Sequence, residues 1–532
     1  MRSAHPLVAA ILLAGCQPGG PPERASPSVP KPLEAKAAPP PAAPPVARDL
    51  AEIAEDGVLH VLFTFNSTGY FVYRGETMGY EYELLSRFAA DSGLRLKPVV
   101  ARDSKLLFEA LNRGDSDVVA AQLAAPSTEE EVLLTDTLYT TAPVVVQRGA
   151  GSPTAGASGT VKRATAREKR ETQGEAITIR ARPVTRPADL GGQEVHVARV
   201  TPYRRRLLEL NVELTDDIDV VEVDETTDKL IDRLAEGGIA FTVAAENVAA
   251  LRTGEYSNLI IKPAIGPPQP VVWAVRKSSP LLHDALNQWL AERRTEGLPE
   301  ILYRKYFLDR RAYRKRVESR YLTADTGELS PYDAGFREHA NIPVWDWRLV
   351  ASQAYQESRF DPRARSWAGA VGLMQIMPAT ARELRVDPRD PEQSIEGACR
   401  YLRRLESAWR STVTRRAERI KFVLASYNVG LGHVQDAVRL AEKNGDDPTS
   451  WENIAFWLIR KSKREFYNDP VVKYGFARGT EPVGYVDAIL SRWDHYREFV
   501  PLELPPQPTP IPSPAASPDP SPSPSPTPPG RE

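Results

Sequence analysis

Cysteine is scarce in this chain of 532 residues, which has two, Cys16 and Cys399. They lie in such different sequence contexts that we expect no disulfide between them. Cys399 shares a helical stripe with Ile395, Leu402 and Leu405. This spacing predicts a buried, unreactive thiol.

Net charge of one sign is also lacking. Lys and Arg number 68 and Asp and Glu 70, which gives a formal charge of -2. Such a balance offers no electrostatic footprint for a polyanion and argues against nucleic-acid binding. His433 has no second histidine at metal-ligand spacing, so we interpret it as structural and expect neither a metal nor a cofactor.

Long apolar runs are missing, apart from a short one at the N-terminus. Residues 7–13 (LVAAILL) follow a single Arg and are too few to span a bilayer, which is typical of a signal peptide. Leu13-Ala14-Gly15-Cys16 resembles the lipobox of bacterial lipoproteins. The resemblance implies a signal peptide over residues 1–16, acylation of Cys16 and, with Gln17 next, anchoring at the periplasmic face of the outer membrane. The alternative is an ordinary secretory signal with an incidental cysteine.

Proline is abundant, and its 48 residues concentrate near the two ends of the chain. Residues 18–45 and 505–529 are rich in proline and have no aromatic residues. Such segments bury too little apolar surface to offset the entropy of ordering them. We therefore predict disordered tethers over residues 17–49 and 501–532.

Strand and helix patterns alternate in a first globular unit, residues 50–310. Predicted strands lie at 58–65, 117–121, 143–147 and 194–199, and predicted helices at 80–90, 106–112 and 207–210. The alternation predicts an α/β unit with a largely parallel sheet.

Five stretches of this unit resemble the bilobed periplasmic solute-binding proteins of the polar-amino-acid type, family 3. They are MGYEYELLSRFA, ALNRGDSDVVAA, TDTLYTTAPVVVQ, RPADLGGQEVHV and VVWAVRKSSPLLHDALNQWL. The resemblance implies two lobes with a ligand cleft between them. We expect a flexible insertion at about 150–182, where Gly, Ala, Thr and Arg dominate, and a linker at 311–330.

The residues that clamp an amino acid in that family are not matched here. Glu129–Glu131 stand near the usual place of an Arg, and Ala240 and Ala245 stand where Asp is common. A carboxylate needs a fork of donors and an ammonium needs an anion. We therefore expect negligible binding of free amino acids, with a soluble cell-wall fragment as the candidate ligand.

Helical periodicity dominates a second unit, residues 331–500. Predicted helices lie at 345–357, 379–384, 394–409, 420–427 and 432–442. In the first of them, Trp347, Val350, Ala354 and Glu357 form one stripe. The carboxylate of Glu357 thus ends an apolar face, where burial would raise its pKa into the range of a general acid.

Three motifs follow in order. They are ESRFDP (357–362) with SWAGAVGLMQIMP (366–378), ASYNVG (425–430) and EPVGYV (481–486). They resemble the signature of soluble-type lytic transglycosylases and the related goose-type lysozymes. With the first unit, the chain resembles the membrane-bound lytic transglycosylase F group. The expected fold is a bilobed α/β domain followed by a mainly α-helical lysozyme-like domain, with proline-rich tethers at both ends.

The resemblance also implies an activity and a site. Glu357 would serve as both acid and base in cleaving peptidoglycan glycan strands, closing a 1,6-anhydro ring on N-acetylmuramic acid. The remaining residues carried over by motif position would bind substrate: Ser366, Met374, Gln375, Met377, Tyr427, Asn428, Glu481 and Tyr485. Tyr427 would orient the glutamate or stabilise developing charge, while Glu481 and Tyr485 would bound the far side of the groove.

Two other functions stay open. A muramidase would use water, with Asp361 or Glu383 as a second carboxylate, since most glycosidases need two. A non-catalytic envelope sensor would rely on the first unit alone. The intact motif around Glu357 argues against the sensor.

Overall fold

The protein is described from a computed structural model, which defines residues 46–101, 106–124, 132–149, 183–199, 201–254 and 256–502. Cys16, the insertion at 150–182 and the tail beyond Leu502 lie outside these ranges. Within them, no helix combines the length and the apolar character needed to cross a membrane.

Two sheets form the two lobes of the first module, and a short hairpin lies apart from them. The strands of the described residues are β1 (Val58–Thr64), β2 (Phe71–Tyr73), β3 (Glu76–Met78), β4 (Arg95–Ala101), β5 (Val118–Ala124), β6 (Val132–Leu134), β7 (Tyr139–Thr141), β8 (Pro143–Arg148), β9 (Glu194–Ala198), β10 (Asp219–Val223), β11 (Phe241–Ala245), β12 (Leu259–Ala264) and β13 (Gln269–Arg276). The first lobe has the order β4-β1-β5-β13-β6, with β7 also on β13. The second lobe has the order β10-β9-β11-β8-β12, and β2 and β3 form the hairpin.

The sheets are mixed rather than largely parallel as predicted. β1 pairs in parallel with β4 and β5, and β9 pairs in parallel with β10 and β11. β13 and β8 run antiparallel to their neighbours. These two strands come directly after the chain has crossed from one lobe to the other, and each enters its new sheet in the reverse direction. Periodicity reports a strand but not the direction of its entry.

Ten helices flank the sheets and continue into the segment predicted as a linker. In the described residues they are α1 (Leu50–Asp56), α2 (Tyr80–Asp91), α3 (Leu107–Arg113), α4 (Tyr203–Asn211), α5 (Thr227–Glu236), α6 (Glu246–Thr253), α7 (Pro280–Thr295), α8 (Leu298–Tyr303), α9 (Arg310–Val317) and α10 (Thr323–Thr326). α5 shows why such segments start and stop: the Thr226 side chain caps its first turn, and Gly237 ends it at φ 88°. In the segment predicted as a linker, α9 buries Tyr313 completely.

The second module is helical. Its helices are α11 (Asp333–His339), α12 (Trp347–Ser358), α13 (Pro378–Leu384), α14 (Pro391–Trp409), α15 (Arg416–Val429), α16 (Leu431–Asn444), α17 (Trp451–Arg460), α18 (Arg464–Tyr467) and α19 (Thr480–Phe499). All of α12 from Trp347 to Tyr355 is buried among its neighbours. Cys399 is fully buried on α14 as predicted, and burial raises the pKa of its thiol to about 12.

The first lobe contacts the second module through buried polar groups. The Tyr70 hydroxyl lies 2.7 Å from Nδ1 of His495 on α19, and the Tyr496 hydroxyl donates to the Gly75 carbonyl at 2.7 Å. Gly75 forms the β2–β3 turn at φ 79°, and a Cβ there would meet the Phe360 ring at 2.4 Å. Only glycine fits this turn, for both steric and conformational reasons.

Candidate functional site

Glu357 lies in the last turn of α12, at the partly exposed end of a helix whose earlier turns are buried. The Asp346 side chain caps the first turn by accepting from the Arg348 amide at 2.9 Å. The helix ends where Arg359 and Phe360 turn into left-handed conformations, at φ 53° and 63°. Because the preceding turns are buried, the last turn holds Glu357 in a defined position.

The electrostatics of Glu357 suit a group that exchanges a proton near neutrality. Its side chain is partly buried, and burial raises its pKa to about 7. The Tyr485 hydroxyl donates to Glu357 Oε1 at 2.5 Å, which lowers the pKa but does not offset the burial. Both protonation states are therefore accessible near pH 7.

Tyr485 is itself oriented by α12. Gln353 Nε2 donates to the Tyr485 hydroxyl oxygen at 3.1 Å, which leaves the hydroxyl proton for Glu357. Gln353 is fully buried and lies one turn before Glu357 on the same helix. Gln353 is not among the site residues predicted from the sequence. Its i, i+4 spacing from Glu357 is the signal that could have found it.

The loop after α12 is tied to the end of the helix. Ser358 Oγ donates to the Leu373 carbonyl at 2.7 Å, and Gln375 Nε2 donates to the Gly372 carbonyl at 2.9 Å. A Cβ at Gly372 would lie 1.6 Å from the Pro388 carbonyl oxygen. The loop backbone is therefore held in place beside Glu357.

The predicted groove residues of this loop differ in exposure. Ser366 Oγ accepts from the Ala370 amide at 3.0 Å and closes a turn. The Met374 side chain is fully buried in the core, whereas Met377 is 44% exposed. Gln375 is partly buried, with its amide nitrogen engaged by the loop. Met374 therefore offers no exposed surface to a ligand, and its amide and carbonyl bond to Ser394 and Tyr427.

The predicted residues from the other two motifs differ in their contacts and in their exposure. The Tyr427 hydroxyl donates to the Met374 carbonyl at 2.8 Å, and burial together with the Glu357 charge holds its pKa well above the usual range. Asn428 is exposed at the end of α15. Glu481 is exposed and lies 3.5 Å from Arg478. Tyr485 is thus the predicted residue that hydrogen-bonds to Glu357 within the described part of the chain.

The two candidates for a second carboxylate are engaged elsewhere. Asp361 is exposed and accepts from the Arg363 amide at 2.9 Å. Glu383 is exposed on α13 and pairs with Arg404 at 2.8 Å. Neither hydrogen-bonds to Glu357 in the residues that the structure describes.

One surface cluster has the composition of a metal site. Ligand atoms of Glu338, His339 and Glu392 lie within 4.8 Å of one another. His339 Nε2 and Glu392 already pair at 2.6 Å, and both glutamates are exposed. Exposed groups of this kind need no ion.

The cleft between the lobes of the first module is closed. The cavity at this place measures about 50 Å³ and is lined by residues including Ser67, Asp228 and Ala245. The Tyr313 hydroxyl donates to the Asp228 carboxylate and lies 3.5 Å from Ser67 Oγ. A space of this size is too small for a free amino acid.

Of the predicted clamp positions, Ala245 lines this cleft, while Ala240 packs against the core of the second lobe. Glu129–Glu131 lie outside the described residues. Neither alanine supplies a charge to the cleft.

Comparison with known proteins gives two family matches. Residues 335–449 match the family described as Transglycosylase SLT domain. Residues 63–309 match Bacterial extracellular solute-binding proteins, family 3. A solved structure similar to the first module is the P235GK mutant of ArgBP from T. maritima, 21% identical, covering 49% of this chain and 99% of that chain with a TM-score of 0.39.

Similarity to two lytic transglycosylases extends over most of the chain. The membrane-bound lytic murein transglycosylase F of Desulfosudis oleivorans is 31% identical over 84% of this chain and 91% of its own. That of Shewanella pealeana is 32% identical over 78% of this chain and 80% of its own. Because these relatives are more than 30% identical to it over most of both chains, this protein belongs to the membrane-bound lytic murein transglycosylase F family.

Proposed function

We propose that this protein cleaves the β-1,4 bond between N-acetylmuramic acid and N-acetylglucosamine in peptidoglycan and leaves 1,6-anhydro ends, acting in cell-wall turnover. The observation that carries the proposal is the carboxyl of Glu357, with a pKa of about 7, fixed at the end of a buried helix by Tyr485. Such a group can first give and then take a proton at neutral pH.

The first step needs an acid. Protonated Glu357 donates its proton to the glycosidic oxygen as the bond to the muramic acid C1 breaks and an oxocarbenium-like centre develops. Burial favours the protonated form, and the Tyr485 hydroxyl stabilises the carboxylate that remains. Tyr485 thus spreads the charge that appears on Glu357.

The second step needs a base, and the same carboxylate can serve. Glu357 accepts the proton of the muramic acid 6-hydroxyl, whose oxygen bonds to C1 and closes the anhydro ring. The bonds of Asp361 and Glu383 to other groups support a mechanism with one carboxylate. No external water enters the product, so the reaction is an intramolecular transglycosylation rather than a hydrolysis.

The groove around Glu357 supplies the binding surface in this proposal. Its members are Ser366, Gln375, Met377, Tyr427, Asn428, Glu481 and Tyr485, and the buried Met374 supports the loop through its carbonyl. The exposed side chain of Met377 can pack on a sugar ring, and Asn428 can hydrogen-bond to it. Tyr427 holds the loop at Met374 and so keeps the groove next to the carboxyl.

Mass spectrometry of digested sacculi tests the proposal. Anhydro-muramic products are expected, and reducing-end muramic acid would instead identify a water-using muramidase. A purified Glu357→Gln protein that digests sacculi at the full rate would favour the non-catalytic sensor.

We further propose that the first module takes a soluble cell-wall fragment rather than a free amino acid. Ala245, which lines the cleft without a charge, supports the exclusion of free amino acids, and any fragment would require the lobes to open around Tyr313. Calorimetric titration of the full chain with muropeptides and with common amino acids tests it. Tight binding of a free amino acid would contradict it.

We also propose that Cys16 is lipidated and anchors the protein at the periplasmic face of the outer membrane. Several acyl chains on one cysteine anchor a protein stably, whereas one is marginal. Cys16→Ser should release the protein from membranes on fractionation. Retention in the outer-membrane fraction would place the anchor elsewhere.

A further inference from the structure

A large cavity lies at the start of α12, at the other end of this helix from Glu357. It measures about 1200 Å³ and is lined by the following residues among others: Arg95, Arg337, Val344, Trp345, Asp346, Trp347, Arg416, Lys421, Trp451, Asp487, Trp493, Asp494 and Leu502. Four tryptophans are therefore in its wall. None of the residues assigned to the Glu357 site lines this cavity.

The last described residue of the chain is part of this wall. Leu502 lines the cavity, and its carbonyl accepts from Trp347 Nε1 at 3.1 Å and from Arg337 at 3.0 Å. The Arg337 guanidinium stacks on the Trp347 ring with 3.7 Å to the centroid. Where the C-terminal tail begins, the Leu502 carbonyl is thus held by both the Trp347 indole and the Arg337 guanidinium.

Most charges around the cavity already have partners. Arg95 pairs with Asp494 at 3.3 Å, and Lys421 pairs with Glu418 at 2.8 Å. Arg416 donates to the Val344 carbonyl. A ligand of high charge would have to break these bonds, so the aromatic and apolar surface is the part that is open to a ligand.

Asp346 and Asp487 complete the charged groups. Asp346 accepts from Arg348 and from Trp493 Nε1, the latter at 3.1 Å. Burial raises the pKa of Asp487. The cavity therefore fits an uncharged occupant with apolar rings and carbonyl groups.

The tail has this composition. Residues 503–532 contain 13 prolines, and residues 504–518 (LPPQPTPIPSPAASP) contain no charged residue. Proline-rich sequences favour the polyproline-II helix, which has no internal hydrogen bonds and about 3.1 Å rise per residue. Grooves lined by aromatic rings recognise such sequences through ring packing and through N–H donors to carbonyls.

We propose that the cavity at the start of α12 is a docking site for the chain's own proline-rich tail, residues 504–518. The hydrogen bond from Trp347 to the Leu502 carbonyl is the first contact between the cavity wall and the C-terminal segment. Val344 and Leu502, 65% and 55% exposed, supply apolar surface at the same place. The proposal goes beyond the enzymatic function and does not depend on it.

A peptide-binding experiment tests the proposal. A fluorescent peptide of residues 503–520 is titrated into the chain truncated after Leu502 and into the full-length chain, with anisotropy as the readout. The truncated chain should bind at least about ten times more tightly, because in the full chain the covalently linked tail competes at millimolar effective concentration. A peptide with alanine in place of proline should bind at least about tenfold more weakly than the native peptide.

A pair of surface variants of the truncated chain locates the binding site. Val344→Asp should weaken binding about tenfold, whereas Val212→Asp, at an 87% exposed valine in the second lobe, should leave it unchanged. Val344 has φ 62°, a region that aspartate tolerates better than valine, so this change should not harm the fold. Thermal unfolding of both variants checks that point.

Three results would overturn the proposal. They are the absence of saturable binding to the truncated chain, equal binding to the truncated and full-length chains, and equal loss with both valine variants. Self-association of the truncated chain in sedimentation, without peptide binding, would assign the cavity to a second copy of the chain.

Discussion

Each module buries one glutamate with a strongly raised pKa, and the two sites differ in what surrounds the carboxyl. Burial raises the pKa of Glu81 in the first module to about 8, and that of Glu357 in the second to about 7. By this measure alone, Glu81 and Glu357 would be equal candidates for a general acid.

The contacts of the two carboxyls separate their roles. Glu81 is 1% exposed, and the Gln122 amide lies 3.2 Å from each of its carboxyl oxygens. Glu357 is partly exposed next to the loop of the second module and bonds to one hydroxyl. A raised pKa therefore indicates burial, and access for a substrate decides whether the proton can be used.

The first prediction removes the acid. Glu357→Gln should reduce release of anhydro-muropeptides from sacculi by roughly 10²–10⁴-fold, because one residue serves both proton transfers. Mass spectrometry of the soluble products measures the rate. Glu81→Gln is the matched control and should retain the parental rate.

If Glu81→Gln abolished cleavage while Glu357→Gln did not, the assignment of the two glutamates would have to be reversed. Equal thermal unfolding temperatures of parent and Glu357→Gln would exclude loss of the fold as the cause.

The second prediction concerns Tyr485→Phe. This change removes a hydrogen bond that favours the carboxylate, so the pKa of Glu357 should rise further above about 7. The alkaline limb of the rate, where the acid is lost, should move to higher pH. The maximal rate should fall roughly 10- to 100-fold, since a hydrogen bond to a charged group contributes about 1.5–3 kcal/mol.

A pH–rate profile of purified Tyr485→Phe measures both effects. An unchanged alkaline limb, or one shifted to lower pH, would show that Tyr485 does not act on the carboxylate.

The third prediction uses stability to examine Glu81. Its pKa is higher in the folded chain than the ordinary value of 4.5, so the folded state binds the proton more tightly than the unfolded state. This stabilisation is lost as the pH rises from about 4.5 to about 8. Glu81→Gln should therefore raise the Tm by several degrees at pH 8 relative to the parent, and by much less at pH 5.

Calorimetry of both proteins at the two pH values gives this difference. A difference in Tm that is the same at both pH values would mean that Glu81 does not titrate between them.

The fourth and smallest effect is expected for Tyr427→Phe. The Met374 carbonyl would lose its donor, which costs about 1–3 kcal/mol of local stability when the acceptor stays buried. Cleavage should fall by less than it does in Tyr485→Phe, because Tyr427 acts on the loop and not on Glu357. Chemical denaturation and initial rates measure the two effects; a rate loss equal to that of Glu357→Gln would assign Tyr427 a direct part in the chemistry.

Much of the fold follows from local sequence patterns. The predicted helix at 345–357 corresponds to α12 (Trp347–Ser358), and the predicted strand at 58–65 corresponds to β1 (Val58–Thr64). Apolar periodicity and turn residues determine such elements locally. The place of Glu357 at the end of an apolar stripe follows from the same periodicity.

Contacts between distant segments could not be predicted in this way. Tyr485 meets Glu357 across 128 positions of the chain, and Tyr313 meets Asp228 across 85. These pairs depend on how α19 packs on α12 and how α9 returns to the cleft. Neither periodicity nor residue type carries that information.

The buried pair between Tyr70 and His495 has a consequence for any titration of this protein. Burial lowers the pKa of His495 to about 3, so its ring stays neutral and can accept from the Tyr70 hydroxyl throughout the range in which Glu357 changes charge. The contact between the first lobe and α19 therefore keeps one charge state over the pH range in which Glu357 gains or loses its proton. Acidification of the envelope from neutral to mildly acidic pH would change the chemistry of the protein while leaving this joint between its modules intact.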